Sequence, residues 1–150
     1  MDHIDRELIQ ALRQDARASW AELGRVVGLS GPSVTERVAR LERDGVLLGY
    51  HATVDPVALG RSVAALVGIY LSDDSDQDVV ARALEEVEEI EDCWFVAGDE
   101  SLLIKVRVTD VPALESTLSR LRGIRGVART RTTVVLSTKW EGRVAGEPVG

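Results

Sequence analysis

The stretch Ser19–Val46 joins two short amphipathic segments through a break of three residues, Gly28-Leu29-Ser30. Ser19 and Glu22 have capping-box spacing, in which each side chain covers the other residue's orphan backbone N–H. Ser30 is a preferred N-cap, and Pro32 follows in the first turn, where a missing N–H costs nothing. Val34, Val38 and Leu41 fall at i, i+4 and i+7 and form one stripe. Asp44-Gly45 ends the segment, glycine being the usual residue just past a helix. Helix, tight turn with glycine, helix is the pattern of a helix-turn-helix. Many helical hairpins share it, so the rest of the chain decides its meaning.

Upstream, Asp2 caps a helix whose apolar face is Ile4, Leu8, Ile9 and Leu12. The three helices share an expected core of Ile4, Leu8, Leu12, Trp20, Leu23, Val26, Leu29, Val34, Val38 and Leu41, with Trp20 as its anchor. Downstream, Val46–Val54 is short, β-favouring and interrupted by Gly49, which predicts a small hairpin, the wing of a winged helix. Asp55-Pro56 and Gly60 punctuate a linker.

The second half has another rhythm. Val63–Leu71 is an apolar strand, and Val79, Val80, Ala83, Leu84 and Val87 mark a helix at the 3.6 period. Cys93–Ala97 and Leu102–Val108 are strands joined by the Gly98-Asp99-Glu100 turn as a hairpin. Asp110 caps a helix carrying Val111, Leu114, Leu118 and Leu121, and Val127–Lys139 is a last strand with Thr130, Thr132 and Val134 on one face. The order β-α-β-β-α-β predicts a ferredoxin-like split βαβ fold. The fold class is therefore α+β: a winged helix-turn-helix over 1–50, a wing and linker strand over 51–61, and a ferredoxin-like domain over 62–150.

Charge bears on partners. The 150 residues carry 18 basic and 25 acidic side chains, a net of -7, whereas DNA-binding domains are usually basic. The imbalance is uneven: residues 1–50 hold seven Arg against eight acids, a net of -1, and residues 51–150 have a net of -6. Glu85-Glu86, Glu88-Glu89 and Glu91-Asp92 are expected on a solvated helix face. The single cysteine, Cys93, excludes an internal disulfide and suggests a reducing compartment. It is expected to be a small hydrophobe in its strand. No apolar run reaches the roughly 18 residues of a membrane span, and no signal-peptide pattern is expected.

Taken together, these residues resemble the Lrp/AsnC (feast/famine) family of transcriptional regulators over nearly the whole chain. Ile4-Asp5-Arg6, Leu8-Ile9 and Asp15-Ala16-Arg17-Ala18-Ser19 are similar to the family's opening. Val27-Gly28-Leu29-Ser30, Arg37-Val38, Arg40-Leu41-Glu42 and Gly45-Val46 are similar to its helix-turn-helix. Gly49-Tyr50, Asp55-Pro56 and Ala58-Leu59-Gly60 resemble its wing and linker. Gly98-Asp99, Lys105-Val106 and Val127–Thr132 resemble its effector-domain signatures. The resemblance implies a cytoplasmic regulator that binds double-stranded DNA, is dimeric and often octameric, and takes an amino acid at a subunit interface. Two positions depart from the family pattern. Ser101 and Leu102 stand where many members have an acidic residue and a tyrosine, and Leu48 stands where a basic wing residue is common.

With Val34, Val38 and Leu41 facing the core, Pro32, Glu36, Ala39, Arg40 and Arg43 project away from the second helix, with Ser33, Thr35 and Arg37 on its flanks. Arg40 or Arg37 suits bidentate pairing with guanine, and Glu36 suits the N4 of cytosine. The hydroxyls of Ser30, Ser33 and Thr35 suit phosphate or base contact. Glu36 and Arg40 also have the spacing of an i,i+4 surface pair, which is the bland alternative. For the effector, the family pattern points to Gly98, Asp99, Glu100, Ser101, Thr130 and Thr132. A carboxylate of the turn takes the ammonium, turn N–H groups take the carboxylate, and the threonines add hydroxyl bonds.

Catalysis is not expected. His3 and His51 lie in different elements, and there is no metal-ligand spacing, Walker loop or dinucleotide fingerprint, so no metal and no cofactor are expected. Two alternatives remain open: an architectural protein that wraps DNA with little sequence preference, and a metabolic effector-sensing module whose helices contact protein. Salt slope and specificity ratio separate the first from a specific regulator.

Overall fold

The computed structural model describes residues 1–142, which contain two compact units, Met1–Thr53 and Val54–Glu141. Residues 143–150, the end of the expected second domain, lie outside the described residues.

The first unit is three helices: α1 (His3–Gln14), α2 (Trp20–Val27) and α3 (Gly31–Arg43). Their starts are set by side chains. Asp2 and Asp5 form a capping box, Asp2 accepting the Asp5 N–H at 2.9 Å and Asp5 accepting the Asp2 N–H at 3.0 Å. Ser19 and Glu22 form the predicted box, and Ser30 caps α3 ahead of Pro32. The α2–α3 turn depends on two glycines. Gly28 sits at φ 69°, in the left-handed region that favours glycine. Gly24 is buried, and a Cβ there would collide with the carbonyl oxygen of Leu29, whose N–H closes the turn onto Gly24 at 2.9 Å.

Leu8, Leu12, Leu23, Val34 and Val38 form the core of this unit, with Ile4, Ala18, Val27, Leu29 and Leu47 against it. Leu41 is buried as well. Two expected core residues are not in it: Trp20 is 42% exposed and Val26 is 64% exposed. Ala18 and Leu23 flank the first turn of α2 at the two positions of a hydrophobic staple, so the chain enters the core through Ala18 and leaves Trp20 at the rim. Leu23 and Val27, four apart, then take the inward stripe and turn Val26 to solvent.

The hairpin expected over Val46–Val54 is not formed. After Gly45, at φ 67°, the N–H groups of Val46 and Leu47 both return to the carbonyl of Leu41, which tucks Leu47 against the helices. The residues from there to β1 hold turns and irregular chain and no strand. The β-favouring run has no strand within reach to complete a ladder. Its one side-chain tie is the Tyr50 hydroxyl donating to Glu42 at 2.8 Å. The helix-turn-helix therefore lacks the expected wing and linker strand among the described residues.

The second unit runs β1 (Val63–Leu71), α4 (Gln77–Glu85), β2 (Ile90–Phe95), β3 (Leu102–Val108), α5 (Val111–Gly123) and β4 (Val127–Val135). The sheet order is β2-β3-β1-β4, with every pairing antiparallel, which is the ferredoxin-like arrangement. Strand β2 starts three residues before its expected position, and β4 ends four residues before Lys139. Ala65, Val67 and Ile69 of β1 and Ile104 and Val106 of β3 pack on Val80, Leu84, Leu114 and Leu121 of the two helices. One sheet face is thus core. The other carries Leu66, Gly68 and Tyr70, Lys105 and Arg107, and Arg129, Arg131 and Thr133.

Candidate DNA-reading face and effector turn

On α3 and its cap the six expected DNA contacts are three hydroxyls, two arginines and Glu36. The hydroxyls are tied locally and remain accessible. Ser30 and Ser33 share a hydrogen bond at 2.9 Å, and Thr35 donates to the Gly31 carbonyl at 3.0 Å. Glu36 is exposed and makes no ion pair with Arg40 among the described residues, so the bland i,i+4 pairing is not what occupies either side chain.

The arginines reach instead to α1. Arg37 Nη1 lies 2.8 Å from both Asp2 Oδ2 and Asp5 Oδ1, and Arg40 Nη2 lies 2.9 Å from Asp5 Oδ2. Asp5 is fully buried, and a buried carboxylate is costly unless paired and hydrogen-bonded. Burial pushes the Asp5 carboxyl up, yet the Asp2 N–H, the Arg37 hydrogen bond and the Arg40 charge together hold it below the ordinary range. The Asp2 carboxyl is pushed down to about 2, first by the Asp5 N–H and then by Arg37. Ser33, Glu36, Arg37, Arg40 and Arg43 line one concavity on this face, together with Leu29. Asp5 is the residue that sequence reasoning missed. The Asp-x-x-Asp spacing announces a capping box, but nothing local announces its second role as partner to α3.

In the second unit the turn from Gly98 to Ser101 is fixed to the sheet by the Ser101 N–H, which donates to Ile69 at 2.9 Å. The Glu100 side chain crosses Gly68 and meets Arg131 Nη2 of β4 at 3.0 Å. A Cβ at Gly68 would collide with the Glu100 side chain, so glycine is what lets it pass. Beside it the Arg129 guanidinium stacks 3.8 Å from the centre of the Tyr70 ring. Turn and last strand therefore do come together, but through Arg131. Thr130 pairs with Ile69 and Thr132 with Val67, so both threonines lie on the core side of the sheet, opposite Glu100. Gly98 and Asp99 are exposed at the tip. Gly68 and Arg131 were missed; alternation along β4 placed Arg131 on a face without saying what it met.

The acidic run does not share one solvated helix face. Helix α4 stops at Glu85, and Glu91 belongs to β2, where it accepts from Arg107 Nε at 2.8 Å and Lys105 Nζ at 2.6 Å. Glu141 closes the same network, lying 2.8 Å from Arg107 Nη2 and in contact with Lys105. Burial raises the Glu91 carboxyl, but Lys105 and Arg107 outweigh it and hold the group low. Cys93 lies on an exposed edge strand, where burial nevertheless pushes its thiol up. Among the described residues no group of three or more His, Cys, Asp or Glu is placed to hold a metal ion, and no helix is long and apolar enough to cross a membrane.

Comparison with known proteins gives the same two-part division. Residues 1–42 match the model of the AsnC-type helix-turn-helix domain, and residues 64–145 match that of the Lrp/AsnC ligand binding domain. The HTH-type transcriptional regulator LrpA of Mycobacterium tuberculosis is 43% identical over 95% of this chain and 95% of that protein. The leucine-responsive regulatory protein of Escherichia coli is 40% identical, over 91% of this chain and 85% of that one. A feast or famine regulatory protein from M. tuberculosis, solved in complex with L-methionine, superposes with a TM-score of 0.88 at 43% identity, covering 95% of this chain and 97% of the other.

Proposed function

The chain belongs to the Lrp/AsnC family of transcriptional regulators, and on that premise we propose that α3 enters the major groove of double-stranded DNA and that a small amino acid bound by the second unit controls the assembly. The observation that carries the DNA half is the arginine-lined concavity on the outer face of α3, with Ser33, Glu36, Arg37 and Arg40 in its wall. Ser30 and Thr35, near the start of the helix, stand where a recognition helix meets bases and phosphates. A unit with a net charge near -1 cannot hold DNA by bulk electrostatics. Two copies of α3 in a homodimer supply the missing grip, and further association to an octamer multiplies it. The outer sheet face, with Leu66 and Trp94 exposed on it, is the surface that suits such pairing.

For the effector, Glu100 is already engaged by Arg131, so Asp99 is the carboxylate open to an ammonium group, with turn N–H groups for the carboxylate. Thr130 and Thr132 face the other side of the same sheet, so the turn, on the pairing face, carries this site without them. Binding then couples to assembly, since a ligand shifts an equilibrium by its differential affinity for the two states. Regulators that are leucine-responsive or seen with methionine support an apolar amino acid as effector. Such a regulator works in the cytoplasm.

The test is binding to duplexes from the protein's own upstream region, with each of the twenty amino acids added in turn. Arg37→Ala with Arg40→Ala should abolish the shift, and unchanged affinity would overturn the DNA assignment. Gly98→Trp should abolish the amino-acid response while DNA binding persists; an intact response would overturn the effector assignment.

A further inference from the structure

Asp5 is wholly buried on α1, and each of its oxygens is used twice. Oδ1 accepts from Arg37 Nη1 at 2.8 Å and Arg40 Nη2 at 3.0 Å. Oδ2 accepts from the Asp2 N–H at 3.0 Å and Arg40 Nη2 at 2.9 Å. Arg37 Nη1 spends its other hydrogen on Asp2 Oδ2 at 2.8 Å. Each arginine is thus held by one terminal nitrogen, while the side chains of Arg37 and Arg40 stay 25% and 45% exposed.

Which nitrogen is held matters. A guanidinium offers two bidentate forks, Nε–H with Nη2–H and Nη1–H with Nη2–H. Nη2 belongs to both. Arg40 turns Nη2, the nitrogen common to both forks, onto the two Asp5 oxygens, so a base meeting either fork competes with that carboxylate. Arg37 gives Nη1, so its Nε–Nη2 fork is whole, and the remainder of the molecule fixes where it points. Bidentate donation to O6 and N7 is how an arginine reads guanine, whereas a single donor serves a phosphate.

We infer that Asp5 is a positioning residue for sequence reading: it fixes Arg37 as the base-reading fork of α3 and leaves Arg40 as a single-point contact. The inference rests on α3 being the helix that enters DNA. A freely rotating arginine finds the nearest phosphate on any sequence, and an anchored one pays back its orientation only where a guanine stands opposite.

The experiment compares two probes, a duplex enriched by the wild-type protein from a random library and a scrambled duplex of the same base composition. Arg37→Lys keeps a cation beside Asp5 and Asp2 but has no fork, so the ratio of the two affinities should fall roughly ten- to a hundredfold. Arg40→Lys should weaken binding to both duplexes by the same factor and leave that ratio in place. Asp5→Asn keeps the shape but not the charge, and should lower the ratio as Arg37→Lys does, with a steeper salt dependence as the released arginines turn to phosphates. A ratio that survives Arg37→Lys overturns the inference, as does a ratio lost equally in Arg40→Lys. If Asp5→Asn melts before binding can be read, the two lysine variants decide alone. Ser33→Asp separates this inference from the reading beneath it. If α3 is not the DNA helix, Ser33→Asp binds both duplexes as wild type does; if it is, Ser33→Asp loses both.

Discussion

Two arginines on the outer face of α3 and two on the last strand of the sheet's outer face are held in opposite ways. Arg37 and Arg40 converge on one buried carboxylate that also caps α1. Arg129 and Arg131 part company, one stacking on Tyr70 and the other pairing with Glu100 while its side chain stays 67% exposed. Each region also has a glycine that permits a close approach, and the same difference recurs. Gly24 faces the backbone carbonyl of Leu29, whereas Gly68 faces a glutamate side chain that can swing aside. The outer face of α3 is tied to buried and backbone partners, whereas the outer face of the sheet is tied through side chains that can swing aside.

That contrast can be broken most forcefully at the arginines. Arg37→Ala with Arg40→Ala leaves the Asp5 carboxylate buried without its cations, the situation in which removing a partner is strongly destabilising. The helical unit should melt about 10 °C lower or more. Arg131→Ala removes the exposed partner of a half-buried glutamate and should move the melting of the sheet unit by only a few degrees. Calorimetry of both variants measures the pair of shifts, and equal shifts would erase the distinction. The glycines sharpen it at a smaller scale. Gly24→Ala forces backbone apart and should cost about 1–3 kcal/mol in denaturant unfolding. Gly68→Ala displaces Glu100 from an arginine that is itself 67% exposed, so it should cost under about 1 kcal/mol while altering the amino-acid response.

How much of this was legible beforehand follows the range of the interactions. The Ser19–Glu22 capping box, the Asp2 cap, Pro32 in the first turn, the Val34–Val38–Leu41 stripe and the limits of β1 and β3 are set by neighbours within a few residues, and the chain states them directly. Trp20 was misplaced because hydrophobicity and spacing do not say which end of a short helix the core reaches. The wing was misread because a β-favouring run needs a ladder partner, and the chain folded Leu47 back onto helices instead. The resemblance pointed to two candidate regions, but the partners inside them lie 32 and 31 residues apart, as with Arg37 and Asp5 or Arg131 and Glu100. Separations of that kind are fixed by packing and register.

The smallest predicted effect is in acid. Asp2 and Asp5 both have folded-state pKa values below their ordinary ones, Asp2 at about 2. The unfolded chain therefore binds more protons just below the ordinary carboxylate range, and stability present above it drains away as pH falls from about 4 toward 2. Asp2→Asn should flatten part of that slope in the helical unit. The sheet unit should keep its own acid sensitivity, since Glu91 is likewise held low by Lys105 and Arg107. Circular dichroism melts across that range check both, and an unchanged slope in Asp2→Asn would remove Asp2 from the account.

The contrast itself is tested most directly by side-chain nitrogen-15 relaxation of the four arginine Nε–H groups in the intact protein. Anchored at a buried carboxylate, Arg37 and Arg40 should show order parameters approaching the roughly 0.85 of rigid backbone, while Arg131 falls below roughly 0.6. Arg131 as rigid as Arg37, or Arg37 as mobile as Arg131, would contradict the account.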